Sequence, residues 1–272
     1  MNILVSGASG FFGINFIRYA TKKGHHIYAI SRYKQKKINN VKWLTGPLDK
    51  DHEEYKKCEV LIHFASAGVA NINLPYKKAL ETNVIKSSKF LLNAARAGCL
   101  KWIVIGSSSE YGETLKLGKP VSINSPRLPV CNYGKTKSEF SDLVKILSKT
   151  LNAQCRVMRT FPVFGLNENK KRLVPSLLKA IKEKKNFIIN NPMEIRDFSK
   201  IEDIVKKILK AVNFPKKNNK SYEVWHLASG KAVKVSEFVK NMCKRNNYKK
   251  KIIYKKNKIS LFHHVSDKKS IW

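Results

Sequence analysis

Three glycines near the start of the chain constrain the fold more than any other feature. They stand at positions 7, 10 and 13, directly after the apolar run Ile3-Leu4-Val5 and before a segment whose apolar residues have helical spacing. In such a strand–turn–helix unit, the first glycine permits a tight turn, the second lets the backbone approach a pyrophosphate, and the third lets helix and strand pack closely. The pattern predicts a dinucleotide site rather than a glycine-rich structural turn. The residues expected to contact the cofactor are Gly7, Gly10, Phe11, Phe12 and Gly13.

Strands and helices alternate through the following 150 residues. Apolar runs predict strands at 3–5, 26–30, 41–44, 60–64, 102–105 and 155–160, and helical spacing predicts helices at 11–23, 75–97 and 132–151. Such βαβ units form a doubly wound parallel sheet, so the fold class is α/β of the Rossmann type. His63 falls inside an apolar strand, where we expect a packed residue rather than a catalyst.

The character of the chain changes after Gly165, where elements become shorter and lysine more frequent. Short strands are predicted near 187–189 and 224–227, and helices near 173–184, 201–212 and 235–246. We therefore predict a dinucleotide-binding domain at 1–165 and a smaller, mixed α/β C-terminal substrate lobe at 166–272. Residues 196–212 are expected to pack back on the first domain.

The charge of the chain points to an anionic partner. Lys and Arg number 54 against 19 Asp and Glu, a formal net charge of +35. Nucleic acid, a membrane surface and a phosphorylated small molecule would all fit. Only nine of the 54 basic residues are Arg, however, whereas a nucleic-acid binder more often concentrates Arg for bidentate contacts. Nucleic acid is therefore not the expected partner.

Other classes are excluded by simple counts. No run approaches 18 apolar residues, so no membrane span is predicted, and the N-terminus lacks the pattern of a signal peptide. The five cysteines are scattered and contain no C-x-x-C pair, which argues against a disulfide framework or a metal site. We expect a reduced, cytoplasmic protein without metal.

The end of the second predicted strand bears on the choice of cofactor. A Rossmann site that binds NAD normally has an acidic residue there, whereas this strand ends in Ser31 and Arg32. Residues 1–48 contain no Asp or Glu but eight Lys or Arg. A hydroxyl and a guanidinium would accept a 2′-phosphate, so NADP(H) is favoured. NAD(H) stays open as the alternative, because lysine bias makes every loop basic.

A tyrosine and a lysine four residues apart suggest proton transfer. Tyr133 and Lys137 lie at the start of a predicted helix, and this spacing places both on one face. A nearby ammonium, together with the positive nicotinamide of a bound cofactor, favours phenolate and should lower the pKa of the tyrosine. The alternative is a core tyrosine beside a surface lysine. Serines at 107–109 end the fifth strand, where ligands bind in such sheets and where a hydroxyl can stabilise a substrate oxygen.

Together these motifs resemble an extended short-chain dehydrogenase/reductase of the NAD-dependent epimerase/dehydratase group, which acts on nucleotide sugars. The motifs occur in the order of that family. They are the glycines at 7–13, Val60 to Ser66, Thr82-Asn83-Val84, Ser107 to Gly112, Tyr133 to Lys137, Arg159 to Gly165, and Arg196-Asp197-Phe198.

The resemblance implies a role for each matched residue. Ser107 matches the catalytic Ser or Thr, Tyr133 the general acid–base and Lys137 its partner; the latter two also contact the cofactor. Further positions expected to line the cofactor are Ala65, Ser66, Pro162 and Val163. Positions expected to approach the substrate are Ser108, Ser109, Arg172 and Arg196, the two arginines at its diphosphate, although a surface cation is the alternative for each arginine.

The resemblance also narrows the reaction. Family 4,6-dehydratases have Thr-Asp-Glu where this chain has three serines at 107–109, and Glu110 is one residue out of register. Epimerase–reductases have Cys and His at the positions of Ser109 and Arg172. Both reactions are therefore disfavoured. Reduction of an NDP-4-keto-6-deoxy sugar, as in surface polysaccharide biosynthesis, is the leading expectation, and NDP-sugar 4-epimerisation is the alternative.

Two further expectations follow from the family. Some similar proteins have become non-catalytic NADP- or RNA-binding members, a class kept as a further alternative although Ser, Tyr and Lys are all retained here. The two long predicted helices match those that pair across a dimer in the family, so a homodimer is expected.

Overall fold

Seven parallel strands form the central sheet of the protein. The structure is a computed structural model that describes residues 1–69, 71, 74–213, 222–255 and 262–272. The strands of this sheet are β1 (Asn2–Ser6), β2 (His26–Ser31), β3 (Val41–Thr45), β4 (Val60–His63), β5 (Lys101–Ser107), β6 (Gln154–Thr160) and β11 (Tyr222–Leu227). Their order is β11-β6-β5-β4-β1-β2-β3, and every neighbouring pair is parallel. The predicted Rossmann-type fold is confirmed.

Helices cover both faces of the sheet. The helices of the structure are α1 (Phe11–Lys22), α2 (Tyr76–Leu80), α3 (Ser87–Arg96), α4 (Asn132–Thr150), α5 (Leu173–Lys182), α6 (Ile201–Ala211) and α7 (Val235–Arg245), of which α5 and α7 belong to the second lobe. One core combines α1 and α6 with the sheet, and the other combines α3 and α4 with its opposite face. The two apolar layers leave the carboxyl ends of the strands open to ligands, as in other doubly wound sheets.

The remaining strands are short and belong to the second lobe or its junction. They are β7 (Val163–Phe164), β8 (Phe187–Ile189), β9 (Ile195–Asp197), β10 (Ser199–Lys200), β12 (Ala232–Lys234), β13 (Ile252–Tyr254) and β14 (His263–His264). A separate apolar cluster joins α5, β8 and α7. Arg196 lies on β9, the central strand of the sheet β12-β9-β14.

Two sequence predictions of secondary structure are wrong in detail. The strand near 224–227 was assigned to the second lobe, but β11 pairs with β6 and completes the central sheet. The helix predicted over 75–97 is interrupted by a π-helical turn at Glu81–Lys86. A π turn inside a helix frequently marks a functional position, and this one contains the buried Asn83. Among the described residues, no helix is long and apolar enough to cross a membrane.

Candidate active site

The glycine turn between β1 and α1 has the shape that a dinucleotide requires. Gly7 has a φ of +64°, and a Cβ there would lie 2.6 Å from the backbone nitrogen of Ala65 at the end of β4. A Cβ on Gly13 would lie 2.3 Å from the Gly7 carbonyl oxygen. A Cβ on Gly10 would make a tighter than usual contact, 3.2 Å from the Gly7 carbonyl oxygen, although Gly10 itself is exposed. The turn therefore packs tightly against the protein at Gly7 and Gly13, and its solvent-facing side at Gly10 is accessible to a ligand.

The first turn of α1 fits an anionic group. Its N-cap, Gly10, provides no side chain to accept the terminal N–H groups, and the turn contains no acidic residue. Unpaired N–H groups and the positive end of the helix dipole favour phosphate at this position. Phe11 and Phe12 occupy the same turn, and both are partly buried. The residues present therefore fit a dinucleotide cofactor.

The two polar residues at the end of β2 differ in their exposure to solvent. The Ser31 side chain is buried, and its Oγ accepts hydrogen bonds from the Tyr33 backbone at 3.4 Å and the Gln35 amide at 3.1 Å. Arg32 is exposed, with its guanidinium 5.7 Å from the Tyr33 ring centroid. Of the two residues, Arg32 is therefore the one whose charged group is accessible to a ligand.

Ser107 and Tyr133 come together at the carboxyl end of β5. Ser107 is the last residue of β5, and Tyr133 lies in the first turn of α4. Hydrogen bonding from Ser107 and from Ser66 favours the ionised form of the Tyr133 phenol. Close packing brings the two elements together, because a Cβ on Gly134 would lie only 2.4 Å from the Ser109 carbonyl oxygen.

The pKa of Tyr133 differs from the sequence expectation. Burial raises the pKa of the phenol to about 12, and hydrogen bonds from Ser107 and Ser66 and the charge of Arg172 oppose this rise only in part. The protein groups alone therefore do not give the lowered pKa that the sequence predicted for the cofactor-bound site, because desolvation outweighs the favourable neighbours. Tyr133 is therefore protonated at neutral pH and available as an acid.

Lys137 is buried one helical turn after Tyr133. Its Nζ donates a hydrogen bond of 2.5 Å to the Ile105 carbonyl oxygen. Burial lowers the pKa of Lys137 to about 8, while the charge of Glu110 acts in the opposite direction. The alternative interpretation of Lys137 as a surface lysine is therefore wrong. The side chain changes its charge near physiological pH.

His63 is a packed strand residue, as predicted. It is buried in β4, and its Nδ1 lies 2.7 Å from the Ser6 Oγ. Burial and the charge of Lys137 lower the pKa of the imidazole to about 3. It is therefore neutral under ordinary conditions.

Asn83 makes hydrogen bonds to two different elements near Tyr133. Its Oδ1 accepts from the Ala67 backbone at 2.6 Å and from Ser66 Oγ at 3.2 Å, and its Nδ2 donates to Thr136 Oγ1 at 2.9 Å. The amide thereby joins the loop after β4 to the helix that carries Tyr133. Sequence reasoning quoted Thr82-Asn83-Val84 as a motif without assigning this function.

Glu110 is the second residue that sequence reasoning missed. It is fully buried, and its carboxylate accepts from the Ser107 backbone at 2.8 Å and from Arg159 Nε at 2.8 Å. The Ser107 side chain in turn accepts from the Ser109 backbone, which completes a capping box. The S-x-x-E spacing at 107–110 was the signal that could have found it.

The predicted substrate residues lie in three elements, the turn after β5, the N-cap of α5 and β9. Ser108 is buried and Ser109 partly buried in the turn after β5. Arg172 precedes α5, is 46% exposed and stands 3.8 Å from Glu168. Arg196 on β9 donates to Glu194, so part of its fork is already used.

The two arginines also converge on a histidine that the sequence did not suggest. His264 is the Cα partner of Arg196 across β14 and β9. Burial, together with the charges of Arg196 and Arg172, lowers the pKa of His264 to about 3. The charge of Arg172 also lowers the pKa of Tyr133, against the larger effect of burial.

The segment after β6 approaches the site from the opposite side. Pro162 accepts a backbone hydrogen bond from Ser199 at 2.9 Å, and Val163 is buried in β7. This pairing fixes the 162–163 segment next to the Rossmann sheet. Within the described part of the chain, no group of three or more His, Cys, Asp or Glu could hold a metal ion.

Comparison with known proteins places this geometry in a family. Residues 3–227 match the NAD dependent epimerase/dehydratase family. A UDP-glucose 4-epimerase of Lactobacillus helveticus is 23% identical over 256 residues, which cover 84% of this chain and 77% of that protein. A dTDP-6-deoxy-L-talose 4-dehydrogenase (NAD(+)) of Aggregatibacter actinomycetemcomitans is 24% identical over 264 residues, which cover 93% of this chain and 94% of that protein.

Solved structures share the fold. A UDP-glucuronic acid 4-epimerase from Bacillus cereus, in complex with UDP-glucuronic acid and NAD, has a TM-score of 0.84 at 19% identity, over 98% of this chain and 90% of that chain. A UDP-glucose 4-epimerase from Thermotoga maritima, solved with UDP-glucose, has a TM-score of 0.84 at 21% identity, over 98% of this chain and 90% of that chain. The match of residues 3–227 covers most of the chain, which therefore belongs to the NAD dependent epimerase/dehydratase family.

Proposed function

We propose that the protein is an NAD(P)-dependent oxidoreductase that acts at C4 of a nucleotide sugar, with reduction of an NDP-4-keto-6-deoxy sugar as the leading reaction. The observation that carries this proposal is the meeting of Ser107, Tyr133 and Lys137 at strand ends beside the glycine turn. These groups are sufficient for transfer of a proton to a carbonyl that receives a hydride, and nothing more is needed for reduction at C4.

Each residue has a distinct role in the proposal. Tyr133 donates its phenolic proton to the sugar O4, and the Ser107 hydroxyl polarises the C4 carbonyl by donating a hydrogen bond to its oxygen. Lys137 supplies positive charge beneath this pair. The cofactor, when bound, supplies the hydride. It would be held by the glycine turn, Phe11, Phe12, Ala65, Ser66, Pro162, Val163, Tyr133 and Lys137, with Ser31 and Arg32 at its adenosine end.

The residues at the positions of the dehydratase acids argue against dehydration of the sugar. Elimination of water requires a carboxylic acid and a carboxylate beside the sugar, and the corresponding positions are Ser108 and Ser109. Glu110 does not replace them, because it is buried and accepts from Ser107, Ser141 and Arg159. The Glu110 carboxylate is therefore occupied by hydrogen bonds within the protein.

4-Epimerisation is the second candidate, and relatives of that name favour it. The matched Lactobacillus protein is a UDP-glucose 4-epimerase, whereas the dTDP-6-deoxy-L-talose 4-dehydrogenase matches this chain over 94% of its own length. Epimerisation oxidises and re-reduces C4 with the same three side chains. The two reactions therefore differ in substrate and in net consumption of cofactor.

One assay separates the two reactions. The protein is incubated with NADPH or NADH and a panel of NDP-4-keto-6-deoxy sugars, and consumption of reduced cofactor is followed at its absorbance band. Turnover supports the reductase. Conversion of an NDP-hexose to its C4 epimer, without turnover of any 4-keto sugar, establishes the epimerase instead.

A preference for NADP(H) is part of the proposal. Arg32 is exposed at the end of β2, and residues 1–48 contain no acid. A charge-assisted contact to the 2′-phosphate should make NADPH bind about tenfold more tightly than NADH. Arg32→Glu should reverse this order, and Lys34→Glu, a change of equal charge on a neighbouring exposed residue, should not. Dissociation constants from nucleotide fluorescence test this, and tighter binding of NADH to the unmodified protein contradicts it.

The activity should fall as Lys137 loses its proton. The pKa of Lys137 is lowered to about 8, so the ammonium is present below that pH and lost above it. We expect kcat/KM, which reports the free enzyme, to decrease through about pH 8 on the basic side. In Lys137→Met the activity should be lower and this limb absent. A flat profile of the unmodified enzyme up to about pH 10 contradicts the role of Lys137.

We also propose a homodimer formed by the helices around α4. Tyr76 of α2 donates a hydrogen bond of 2.7 Å to Glu139 of α4, so these helices form one surface. Ile146 on α4 is 60% exposed and Ile85 on the π turn 39% exposed. Sedimentation velocity should show a dimer that Ile146→Glu converts to monomer. A monomer at every concentration of unmodified protein contradicts this assembly.

A further inference from the structure

Glu110 collects three donors on one fully buried carboxylate. Oε1 accepts from the Ser107 backbone N–H at 2.8 Å, and Oε2 accepts from Ser141 Oγ at 2.9 Å and Arg159 Nε at 2.8 Å. The strand is shaped for this group, because a Cβ on Gly106 would lie 2.7 Å from Oε1. A buried carboxylate with matched donors is held in one orientation, and so are the groups bonded to it.

The same hydrogen-bond chain continues toward the substrate lobe. Arg159 Nη1 donates to the Tyr111 hydroxyl at 2.8 Å, and that hydroxyl lies 2.6 Å from His226 Nε2. His226 Nδ1 lies 2.7 Å from Ser266 Oγ, two residues beyond His264 on β14. Each of these side chains is buried. This series of hydrogen bonds therefore connects the end of β5 with the segment next to Arg196.

We infer that Glu110 is a positioning residue for Ser107, and that Arg159, Tyr111 and His226 fix the turn carrying Ser107 relative to the substrate lobe. This inference rests on the proposed function, since it assigns Ser107 to the reacting carbonyl. Glu110 is fully buried and acts through Ser107. It holds the backbone of Ser107, and through the capping box it sets the direction of the Ser107 hydroxyl toward Tyr133.

The test compares matched variants of two ion pairs, the fully buried Glu110–Arg159 pair and the partly buried Glu223–Arg156 pair. Glu110→Gln leaves three donors facing one acceptor oxygen, so the Ser107 turn should shift. Displacement of a reacting group by about 1 Å can reduce the rate ~100-fold. We expect kcat to fall ~10- to 100-fold with KM and the cofactor dissociation constant within about twofold. Glu223→Gln on β11, which breaks the 3.0 Å pair with Arg156 of β6, should retain kcat.

A double variant keeps the test valid if a single change impairs folding. Glu110→Met with Arg159→Met removes both charges, and the Ser107 N–H then has no acceptor. This protein should fold, lose the same activity, and exchange the Ser107 amide at least ~10-fold faster in hydrogen-exchange mass spectrometry. Equal exchange in the double variant and the unmodified protein overturns the inference, as does retained kcat in both Glu110 variants.

The exchange measurement separates this inference from the proposed function. An unmodified protein that turns over no nucleotide sugar at C4 contradicts the proposed function only. The exchange rate of the Ser107 amide then tests whether Glu110 holds Ser107, because this measurement needs neither substrate nor turnover.

Discussion

Tyr133→Phe should reduce kcat for the C4 reaction by about 10²- to 10⁴-fold, because it removes the general acid and keeps the ring. The phenol is protonated at neutral pH, since burial raises its pKa to about 12. Without it, the developing charge on the sugar oxygen is met only by the Ser107 hydroxyl. Steady-state kinetics of the variant with the preferred substrate measure the loss.

Cofactor binding provides the control for this change. Tyr133 contributes one hydroxyl to a site held mainly by the glycine turn, so the dissociation constant of the cofactor should change by less than about tenfold. Tyr76→Phe, which removes a phenol on the helix surface that bonds only Glu139 in the described contacts, should retain full activity. Activity of Tyr133→Phe within about fivefold of the unmodified enzyme contradicts its role as the acid.

Arg159→Met should be the most destabilising single change in the site. The guanidinium is 4% exposed and pairs with Glu110 Oε2 at 2.8 Å, so the variant leaves a buried carboxylate without its main partner. Breaking a buried pair in this way costs about 3–5 kcal/mol of unfolding free energy. The melting temperature should fall by roughly 10 °C for a protein of this size. Arg127, 3.9 Å from the same oxygen, is too distant to replace Arg159 fully.

Removal of the second charge should restore stability. In the double variant with Glu110→Met, two apolar side chains of similar volume replace the ion pair, a change that is often neutral in free energy. The coupling between the two substitutions should therefore be about 2–4 kcal/mol in a double-mutant cycle followed by denaturant unfolding. Additive losses from the two single variants contradict a direct interaction between these charges.

Much of the first domain follows from local pattern. The glycine turn, the strands β1 to β6 and the helix Asn132–Thr150 were predicted closely, because buried parallel strands and amphipathic helices have strong periodicities of their own. The Tyr133–Lys137 pair was found for the same reason, since a spacing of four residues fixes a common helix face.

The features that were missed depend on contacts between distant residues. The strand Tyr222–Leu227 is short, and only its pairing with Gln154–Thr160 assigns it to the central sheet. The π turn depends on how Asn83 bonds Ala67 and Thr136. Local spacing carries neither kind of information.

The electrostatic environment of a residue is a separate limit of sequence reasoning. Glu110 was set aside as out of register with the acids of dehydratases, but its bonds to Ser107 and Arg159 in the protein interior were not foreseen. The pKa of Tyr133 was expected to fall, but burial raises it to about 12. In both cases the sequence shows which charges exist, while the fold decides how far they are removed from water.

Transfer of a labelled hydride tests the central claim most directly. The protein is incubated with an NDP-4-keto-6-deoxy sugar and reduced cofactor deuterated at the nicotinamide C4, and the product is examined by proton NMR. We predict deuterium at C4 of the sugar in the unmodified protein and at least ~100-fold slower incorporation in Tyr133→Phe. Absence of deuterium from C4 of every 4-keto sugar tested, in protein that binds the cofactor, would contradict the assignment of a C4 ketoreductase.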